Sequence, residues 1–493
     1  MARLTAAVGL VLAMVWLAWC GLARIAPAVA APAGEAKPAP ALTGYTGVGS
    51  CASAACHGGA IDSPQAWQRA YSIWSTEDKH SRAYQTLFGD RAKRIVQLLD
   101  HLPSLDQAKP FADRRCLGCH TTIDPAAPRG REMLADGVGC ESCHGPAQSW
   151  LVDHTRWPSP LAENDGQANA INAMRRELFT AHGMKNTKDV RVAAGVCVDC
   201  HVGGPQLAGS KVTRDMNHDM IAAGHPRLNF EFAGYLARMP RHWQARTDEA
   251  QAWAVGQMVT AQTSLRLLAE RAESASSQLA AGKPTTWPEF SEYDCFRCHH
   301  DLRGGDIGQR ARLEIPAAER PTLGGYVWGT WNFATIPTLA ARNEDAQFAP
   351  KIVALSRSMA QPFADPKSVG EGAAELATTL DPLVASLHGQ KYDLPWIRRT
   401  LVEMASLSPV LTWDQAAQAY LACVALNNER LWRSRDHRSP FDPQIEQQLA
   451  RLRDALRFGR SGDVRFDSPR DFDPLAIQAE FGRLRELLEK LEP

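Results

Sequence analysis

Cys116-Leu-Gly-Cys119-His120 is the stretch that decides the fold, because the same C-x-x-C-H spacing returns three more times in the chain. The other copies are Cys140-Glu-Ser-Cys143-His144, Cys197-Val-Asp-Cys200-His201 and Cys295-Phe-Arg-Cys298-His299. A fifth pair, Cys51-Ala-Ser-Ala-Ala-Cys56-His57, has a wider loop and again ends in histidine. Ten of the 12 cysteines therefore belong to pairs that a histidine follows directly.

This spacing is the attachment signature of c-type haem, in which two thiols bond to the porphyrin and the next histidine becomes an axial iron ligand. The residues alone also permit disulfides in an exported chain, or zinc sites. The wider pair by itself permits a plain disulfide. Because all five pairs end in histidine, we predict five covalently bound haem c groups on the ten paired cysteines, with the proximal ligands His57, His120, His144, His201 and His299.

The attachment sites also predict the fold class. They all lie between Cys51 and His299, which leaves only about fifty residues for each haem. So little chain cannot wrap each macrocycle separately, so the haems must stack against one another. We predict a mainly α protein: a multihaem cytochrome c module with little regular structure, followed by an all-helical C-terminal domain.

Composition divides the chain into five segments. Residues 1–30 have a basic start, an uncharged run from Leu4 to Ala23 and the small-residue site Ala28-Val-Ala30, which is typical of a cleaved signal peptide. The alternative is an uncleaved membrane anchor, since about 20 apolar residues span a bilayer. In either case we expect the rest of the protein to be periplasmic or otherwise exported, with a membrane tether if the anchor is kept. The later segments are an Ala/Pro-rich linker (31–47), a pentahaem domain (48–303), an irregular connector (304–345) and a helical domain (346–493).

One long helix is predicted between the fourth and fifth attachment sites. Thr247 can cap its start, and Gly282 with Pro284 ends it. Apolar residues recur along it at alternating steps of four and three, which places them in a single stripe on one face of the helix. We expect it to serve as a scaffold for the haems. The stripe consists of Ala254, Met258, Ala261, Leu265, Leu268, Ala272, Ala275 and Leu279.

The C-terminal segment carries helix signals as well. Thr412 and Gln415 form a capping box before an Ala-rich helix that contains Cys423, which we interpret as a small buried hydrophobe. Asp473-Pro474 opens a last helix with an apolar face. That face is Ile477, Phe481, Leu484, Leu488 and Leu491.

Charge and composition exclude other classes. The 54 Lys and Arg residues balance 54 Asp and Glu residues, so the chain lacks the basic surplus that nucleic-acid binding needs. The sequence has neither βαβ alternation nor a nucleotide-binding glycine loop. We therefore do not expect nucleic acid as a partner, and the predicted haems point to redox partner proteins instead.

Ten histidines remain outside the motifs to supply sixth ligands, and their spacing alone does not rank them. A second histidine gives a low-potential electron carrier, whereas an open position permits chemistry. The ten are His80, His101, His154, His182, His218, His225, His242, His300, His388 and His437.

Three stretches carry a family likeness. They are Trp74-Ser-Thr-Glu-Asp-Lys-His80-Ser-Arg-Ala, Gly137-Val-Gly-Cys-Glu-Ser-Cys-His-Gly-Pro-Ala147 with His154 beyond it, and Met220-Ile-Ala-Ala-Gly-His225-Pro-Arg-Leu-Asn-Phe-Glu-Phe232. Residues 47–302 thereby resemble the cytochrome c-554 family of multihaem proteins. The resemblance implies that His80 and His154 are distal ligands, with His225 following by its motif.

The other histidines are weaker candidates. His218 and His182 complete the set of candidate distal ligands. His101 and His300 are expected to be structural, and His388 and His437 lie beyond the last attachment site. The wide first site and the long C-terminal extension depart from the tetrahaem members of the family.

Three functional hypotheses follow. The resemblance favours electron transfer between respiratory partners, one of which would be a membrane quinol-oxidising complex. The alternative is an oxidoreductase of a small nitrogen or sulfur compound, such as nitrite or hydroxylamine, at one five-coordinate haem. In the third, the C-terminal domain docks the protein into a larger complex. No catalytic residue is assigned, and membrane contact is expected only through an uncleaved anchor.

Overall fold

The described part of the protein comes from a computed structural model. It covers residues 44–123, 130–155, 177, 180–204, 214–243, 245–299, 326–342, 348–407, 412–435, 442–461, 464–465 and 472–491. The predicted signal at 1–30 and nearly all of the linker at 31–47 lie outside these residues, as do His300, His437 and the side chain of Cys298.

The first half of the described chain consists of short helices and turns, as predicted. Short 3-10 helices join the α-helices, among them Val48–Cys51, Lys79–Arg82, Gln85–Phe88 and Gly130–Asp136. The α-helices are α1 (Ala70–Thr76), α2 (Asp90–Leu99), α3 (Arg114–His120), α4 (Cys140–His144), α5 (Leu151–His154), α6 (Val190–His201), α7 (His218–Ala222) and α8 (Phe232–Arg238).

Longer helices make up the second half. They are α9 (Glu249–Ala280), α10 (Cys295–His299), α11 (Ile336–Arg342), α12 (Phe348–Met359), α13 (Pro366–Gly389), α14 (Leu394–Ala405), α15 (Trp413–Arg433), α16 (Pro443–Leu456) and α17 (Pro474–Glu489). The two-residue strands β1 (Arg460–Ser461) and β2 (Val464–Arg465) pair antiparallel between α16 and α17, and the region is otherwise helical, as the predicted fold class has it. Helix α11 also lies within the segment that was predicted to be irregular.

Helix α9 confirms the long helix but corrects two details. Its N-cap is Asp248 rather than Thr247, because the Asp248 carboxylate accepts the Gln251 backbone N–H at 3.0 Å. Its end matches the prediction, and Gly282 takes a positive φ of 66° just beyond it. Seven of the eight predicted stripe residues are buried, but Leu279 is 51% exposed.

Burial of α9 is also wider than one stripe. Trp253 and Val255, which lie off the predicted face, are fully buried. The reason is that α9 packs against α13 and α15 as well as α6, so apolar partners surround its first five turns. A sequence period cannot reveal how many neighbours a helix has, and the scaffold helix therefore supports the C-terminal helices as much as the motif region.

The predicted C-terminal features are confirmed. Thr412 accepts the Gln415 backbone N–H, and the Gln415 side chain accepts the Thr412 N–H, which completes the capping box of α15. Cys423 is fully buried inside α15, where burial raises its thiol pKa. In α17 the apolar face is buried, with Leu491 partly buried beyond the helix end.

One large apolar core joins α6, α8, α9 and the helices from α11 to α17, and Phe296 of α10 packs against it. It contains Val198 of α6, most of the inner face of α9 and the buried sides of the later helices. Among the described residues, this core contains side chains from the predicted pentahaem domain, the connector and the C-terminal domain. The division itself stays a prediction.

Buried ion pairs fasten the segments on either side of the connector. Arg227 meets Asp414 of α15 through two hydrogen bonds of 3.0 and 2.8 Å, and Asp414 is 1% exposed. Arg246 likewise meets the fully buried Glu429 at 2.5 Å. The Arg227 pair is bidentate and so holds a fixed geometry, and removing Arg227 would leave the buried Asp414 carboxylate uncompensated.

None of the helices in the described residues is both long and apolar enough to cross a bilayer.

Candidate haem sites

Each C-x-x-C-H motif ends an α-helix at its histidine. Helices α3, α4, α6 and α10 end at His120, His144, His201 and His299. Cysteines three apart lie on one face of a helix, so in α3, α4 and α6 both thiols of the motif face the same side. Acidic N-caps fix the start of two of these helices, since Asp113 accepts the Arg115 N–H in α3 and Asp189 does the same for α6.

Thiols of different motifs come into contact. Cys51 of the first motif hydrogen-bonds with Cys140 of the third, which lowers the pKa of Cys51 to about 7. Cys119 of the second motif similarly hydrogen-bonds with Cys200 of the fourth, and this bond lowers the pKa of Cys200 to about 7. These cysteines are free thiols. The first motif thus lies beside the third, and the second beside the fourth.

The two stretches that carry much of the family likeness pack on each other. The Trp74 indole N–H donates to the Val138 carbonyl at 3.0 Å, and the Val138 N–H donates to the His80 carbonyl at 3.1 Å. Gly137, with a φ of 61°, allows this approach, because a Cβ there would lie 2.8 Å from the His80 oxygen. The contact presents His80 next to the third motif.

Four of the five motif histidines each face a second imidazole. The two members of each pair are far apart in sequence and come from different elements. The ring centroids are 6.2 Å apart for His57 and His154, 6.1 Å for His201 and His80, 6.5 Å for His120 and His225, and 6.4 Å for His144 and His242.

This separation matches two axial ligands of one iron. Because a metal–imidazole bond is about 2 Å long and the ring centre lies about 1 Å behind the bonding nitrogen, opposite ligands have centroids about 6 Å apart. Direct ring stacking would bring the centroids closer, as in the stacked pair of Phe88 and Phe111 at 5.0 Å. The four histidine pairs therefore have the spacing that an iron between them requires.

Hydrogen bonds at Nδ1 set the tautomer of these rings. A backbone carbonyl can only accept, so a ring whose Nδ1 meets one carries its proton there and leaves the Nε2 lone pair free for a metal. The Nδ1–H donors and their acceptors are His57 to Trp67 O (2.7 Å), His120 to Ala83 O (2.8 Å), His154 to Leu151 O (2.5 Å), His225 to Pro226 O (2.9 Å) and His242 to Pro240 O (3.4 Å).

Burial keeps most of these imidazoles neutral, which is the form that binds a metal. It lowers the pKa of His144 and of His201 to about 4, with neighbouring imidazoles adding to the effect. Burial also lowers the pKa of His154, His225 and His242. The rings are thus prepared as neutral donors at physiological pH.

His80 has a different environment. Its Nδ1 lies 2.9 Å from Oδ1 of Asp78, and this hydrogen bond raises the pKa of His80 although burial opposes it. Burial alone would raise the pKa of Asp78, but the hydrogen bonds from His80 outweigh it and the net pKa is lowered. Asp78 is 5% exposed and therefore forms a buried, charge-assisted contact with the ring.

The structure places only some of the predicted distal candidates opposite a motif histidine. His80, His154 and His225 each lie opposite a motif histidine, whereas His218 packs against Phe290 and His182 is exposed. His242, which was not among the candidates, lies opposite His144 instead.

His242 was missed because it stands in Arg241-His-Trp243, which carries no motif. His242 reaches its place opposite His144 because the tertiary fold brings together two segments that are far apart in sequence, and its neighbouring residues do not indicate this.

The remaining histidines lie elsewhere. His299 is exposed, and within the described residues no imidazole faces it. His101 is exposed, and His388 Nε2 lies 3.1 Å from Asp189. In that same part of the chain, no group of three or more His, Cys, Asp or Glu is arranged around a bare metal ion.

Residues 50–145 match the family model for cytochrome c554 and c-prime. This segment contains the first three attachment motifs and His80. Over 85 residues the chain is 35% identical to cytochrome c-554 of Nitrosomonas europaea. The aligned segment covers 16% of this chain and 33% of that protein. The chain thus spans about a third of the length of this curated relative. No solved structure matches the chain.

The comparisons confirm the predicted resemblance over residues 50–145 and imply c-type haem as the cofactor of this region. Two thiols, a following histidine and an opposed imidazole are a donor set that suits a six-coordinate haem c. The residues present therefore fit the group. The extension of the likeness to residue 302 and the number of haems stay predictions.

Proposed function

We propose that the protein is an exported pentahaem c-type cytochrome that relays electrons between respiratory partners. The observation that carries this proposal is the pairing of four motif histidines with a second histidine at 6.1–6.5 Å. Two imidazoles on one iron leave no coordination position for a substrate. Such closed sites suit reversible one-electron transfer, in which no bond to iron forms or breaks.

The chain's residues would hold the cofactors in defined roles. The ten paired cysteines would bond to the porphyrins, the five motif histidines would be proximal ligands, and His80, His154, His225 and His242 would be distal ligands. When bound, haem supplies a one-electron couple. The backbone carbonyls at Nδ1 of five of the rings orient them, and partial burial limits their contact with water.

Contact between motifs supports passage of electrons from one haem to the next. Cys51 meets Cys140, and Cys119 meets Cys200, so the thiols that would anchor different haems adjoin. Helix α4 of the third motif also contacts helix α6 of the fourth. A relay needs such neighbouring sites, whereas independent catalytic haems do not.

A specific observation favours a second candidate at the fifth motif. His299 is exposed, and no imidazole of the described residues faces it. A haem there with an open position would suit the alternative function, reduction or oxidation of nitrite, hydroxylamine or a similar small compound.

Partners and location are part of the proposal. A c-type haem protein with an export signal would exchange electrons outside the cytoplasm with redox proteins, one of them a membrane quinol-oxidising complex. The helices from α12 to α17 would provide a docking body. The near-equal charge count disfavours nucleic acid.

Electron paramagnetic resonance of the oxidised, fully loaded protein tests the proposal. We expect at least four of five haems to be low-spin and unaffected by nitrite or hydroxylamine, with no sustained turnover of either. Fast turnover of a small substrate at one haem would overturn the relay and establish the second candidate.

A matched pair of variants tests the ligand assignment. His80→Ala should convert one low-spin haem to high-spin. His388→Ala is the control, because its side chain is 36% exposed against 39% for His80 and it also contacts an aspartate. Equal spectra for the two variants would remove His80 from the ligand set.

A further inference from the structure

Asp78 differs from the other hydrogen-bond partners of the paired imidazoles. Its Oδ1 lies 2.9 Å from His80 Nδ1, and the same oxygen accepts the His80 backbone N–H at 3.0 Å. At the other paired rings whose Nδ1 acceptor is described, that acceptor is a backbone carbonyl oxygen. One axial imidazole in this part of the chain thus faces a carboxylate while five face neutral oxygens.

We propose that Asp78 is a positioning residue that gives the haem on Cys197 and Cys200 the lowest reduction potential of the four His-paired haems. This inference rests on the proposed function, since it takes His201 and His80 as the axial ligands of that haem. An anionic acceptor at Nδ1 draws the proton toward itself and makes Nε2 a stronger electron donor. A stronger donor favours ferric over ferrous iron, which lowers the potential.

The local structure fixes the carboxylate in place. Asp78 caps the 3-10 helix Lys79–Arg82 and is 5% exposed, so little water competes for its charge. The Ser81 hydroxyl donates to the Asp78 carbonyl at 2.7 Å, which holds the turn that presents the side chain. The contact is therefore part of the fold rather than one rotamer of a surface residue.

Asp78→Asn in the fully loaded protein tests the proposal. Asparagine caps helices about as well as aspartate and keeps an acceptor oxygen, so the variant should fold. The matched control is Asp199→Asn, which removes the same charge within the fourth motif itself, where Asp199 lies 3.9 Å from Arg214 and 38% of its side chain is exposed.

The readout is a spectroelectrochemical titration followed at the haem bands. We expect Asp78→Asn to raise the lowest-potential component by at least a tenfold change in its ferric/ferrous equilibrium, about 59 mV for one electron. Asp199→Asn should move it less. Asp78→Glu, which restores the carboxylate, should return the component toward its original potential.

Two results would overturn the proposal. One is a shift for Asp78→Asn no larger than that of Asp199→Asn while all paired haems stay low-spin. The other is a high-spin haem in Asp78→Asn, which would mean that the carboxylate holds His80 on the iron instead of setting its potential. Turnover of nitrite by the parent protein would overturn the electron relay, yet it would leave the difference between the two variants intact.

Discussion

Gly256 in α9 offers a sharp test of how the scaffold helix packs. A Cβ added there would lie 2.7 Å from Phe232 Cβ, 3.0 Å from its Cδ1 and 3.1 Å from its Cγ. These atoms belong to the root of a side chain that is 1% exposed, not to a flexible tip. Since carbon atoms pack at about 3.5–4.0 Å, Phe232 would have to move by nearly 1 Å.

Two opposing effects set the magnitude of Gly256→Ala. Alanine in a helix interior is about 1 kcal/mol more favourable than glycine. Overpacking a dense core costs about 1–3 kcal/mol. We therefore expect a net loss of about 1 kcal/mol in the free energy of unfolding. Gly482→Ala in α17 is the control, because a Cβ there meets no atom within 4 Å, and it should gain about 1 kcal/mol.

Urea unfolding of the loaded protein, followed by far-ultraviolet circular dichroism, measures both variants. The midpoint should fall for Gly256→Ala and rise for Gly482→Ala, at similar slopes. Phe230, two residues before Phe232, stacks on His201 with centroids 5.0 Å apart, so the haem band of that site should also change in the first variant. A rise of both midpoints would refute the packing argument.

Three further predictions concern single contacts. Asp414→Ala should lower the free energy of unfolding by about 3 kcal/mol because it leaves Arg227 with an unpaired buried charge, and a loss under 1 kcal/mol in urea unfolding would contradict this. Thr412→Ala should cost about 1 kcal/mol through loss of the capping box, measured in the same way, and an unchanged midpoint would count against it. His242→Ala should turn one low-spin haem high-spin in electron paramagnetic resonance, whereas the exposed His182→Ala should not; identical spectra would argue against ligation by His242.

The sequence predicted the local features of this fold well. The capping box at Thr412, the opening of α17 and the end of α9 at Gly282 depend on neighbouring residues, and all appear as expected. The start of α9 differed by one residue because Thr247 and Asp248 both have capping side chains. Leu279 continued the period of the stripe but lies beyond the reach of the neighbouring helices.

The candidate site could be predicted only in part from the sequence. Attachment motifs are local, so their cysteines and histidines can be read directly from the chain. The opposed histidine is not local: His80 lies opposite His201, more than a hundred residues later. His242 shows the difficulty most clearly, because it has no motif and gains its place opposite His144 from the tertiary fold.

The crossed contacts between motifs have a consequence for biogenesis. In the folded chain the thiols of Cys51 and Cys140 adjoin, as do those of Cys119 and Cys200. In an oxidising compartment, a polypeptide that folded first would bring together thiols of different motifs, and a disulfide between them would block two attachment sites at once. If these cysteines bond to haem as proposed, covalent loading must therefore precede tertiary closure. In the proposed ligand set, the distal ligand His225 is translated about a hundred residues after His120, so the haem held by His120 would wait for that ligand to emerge.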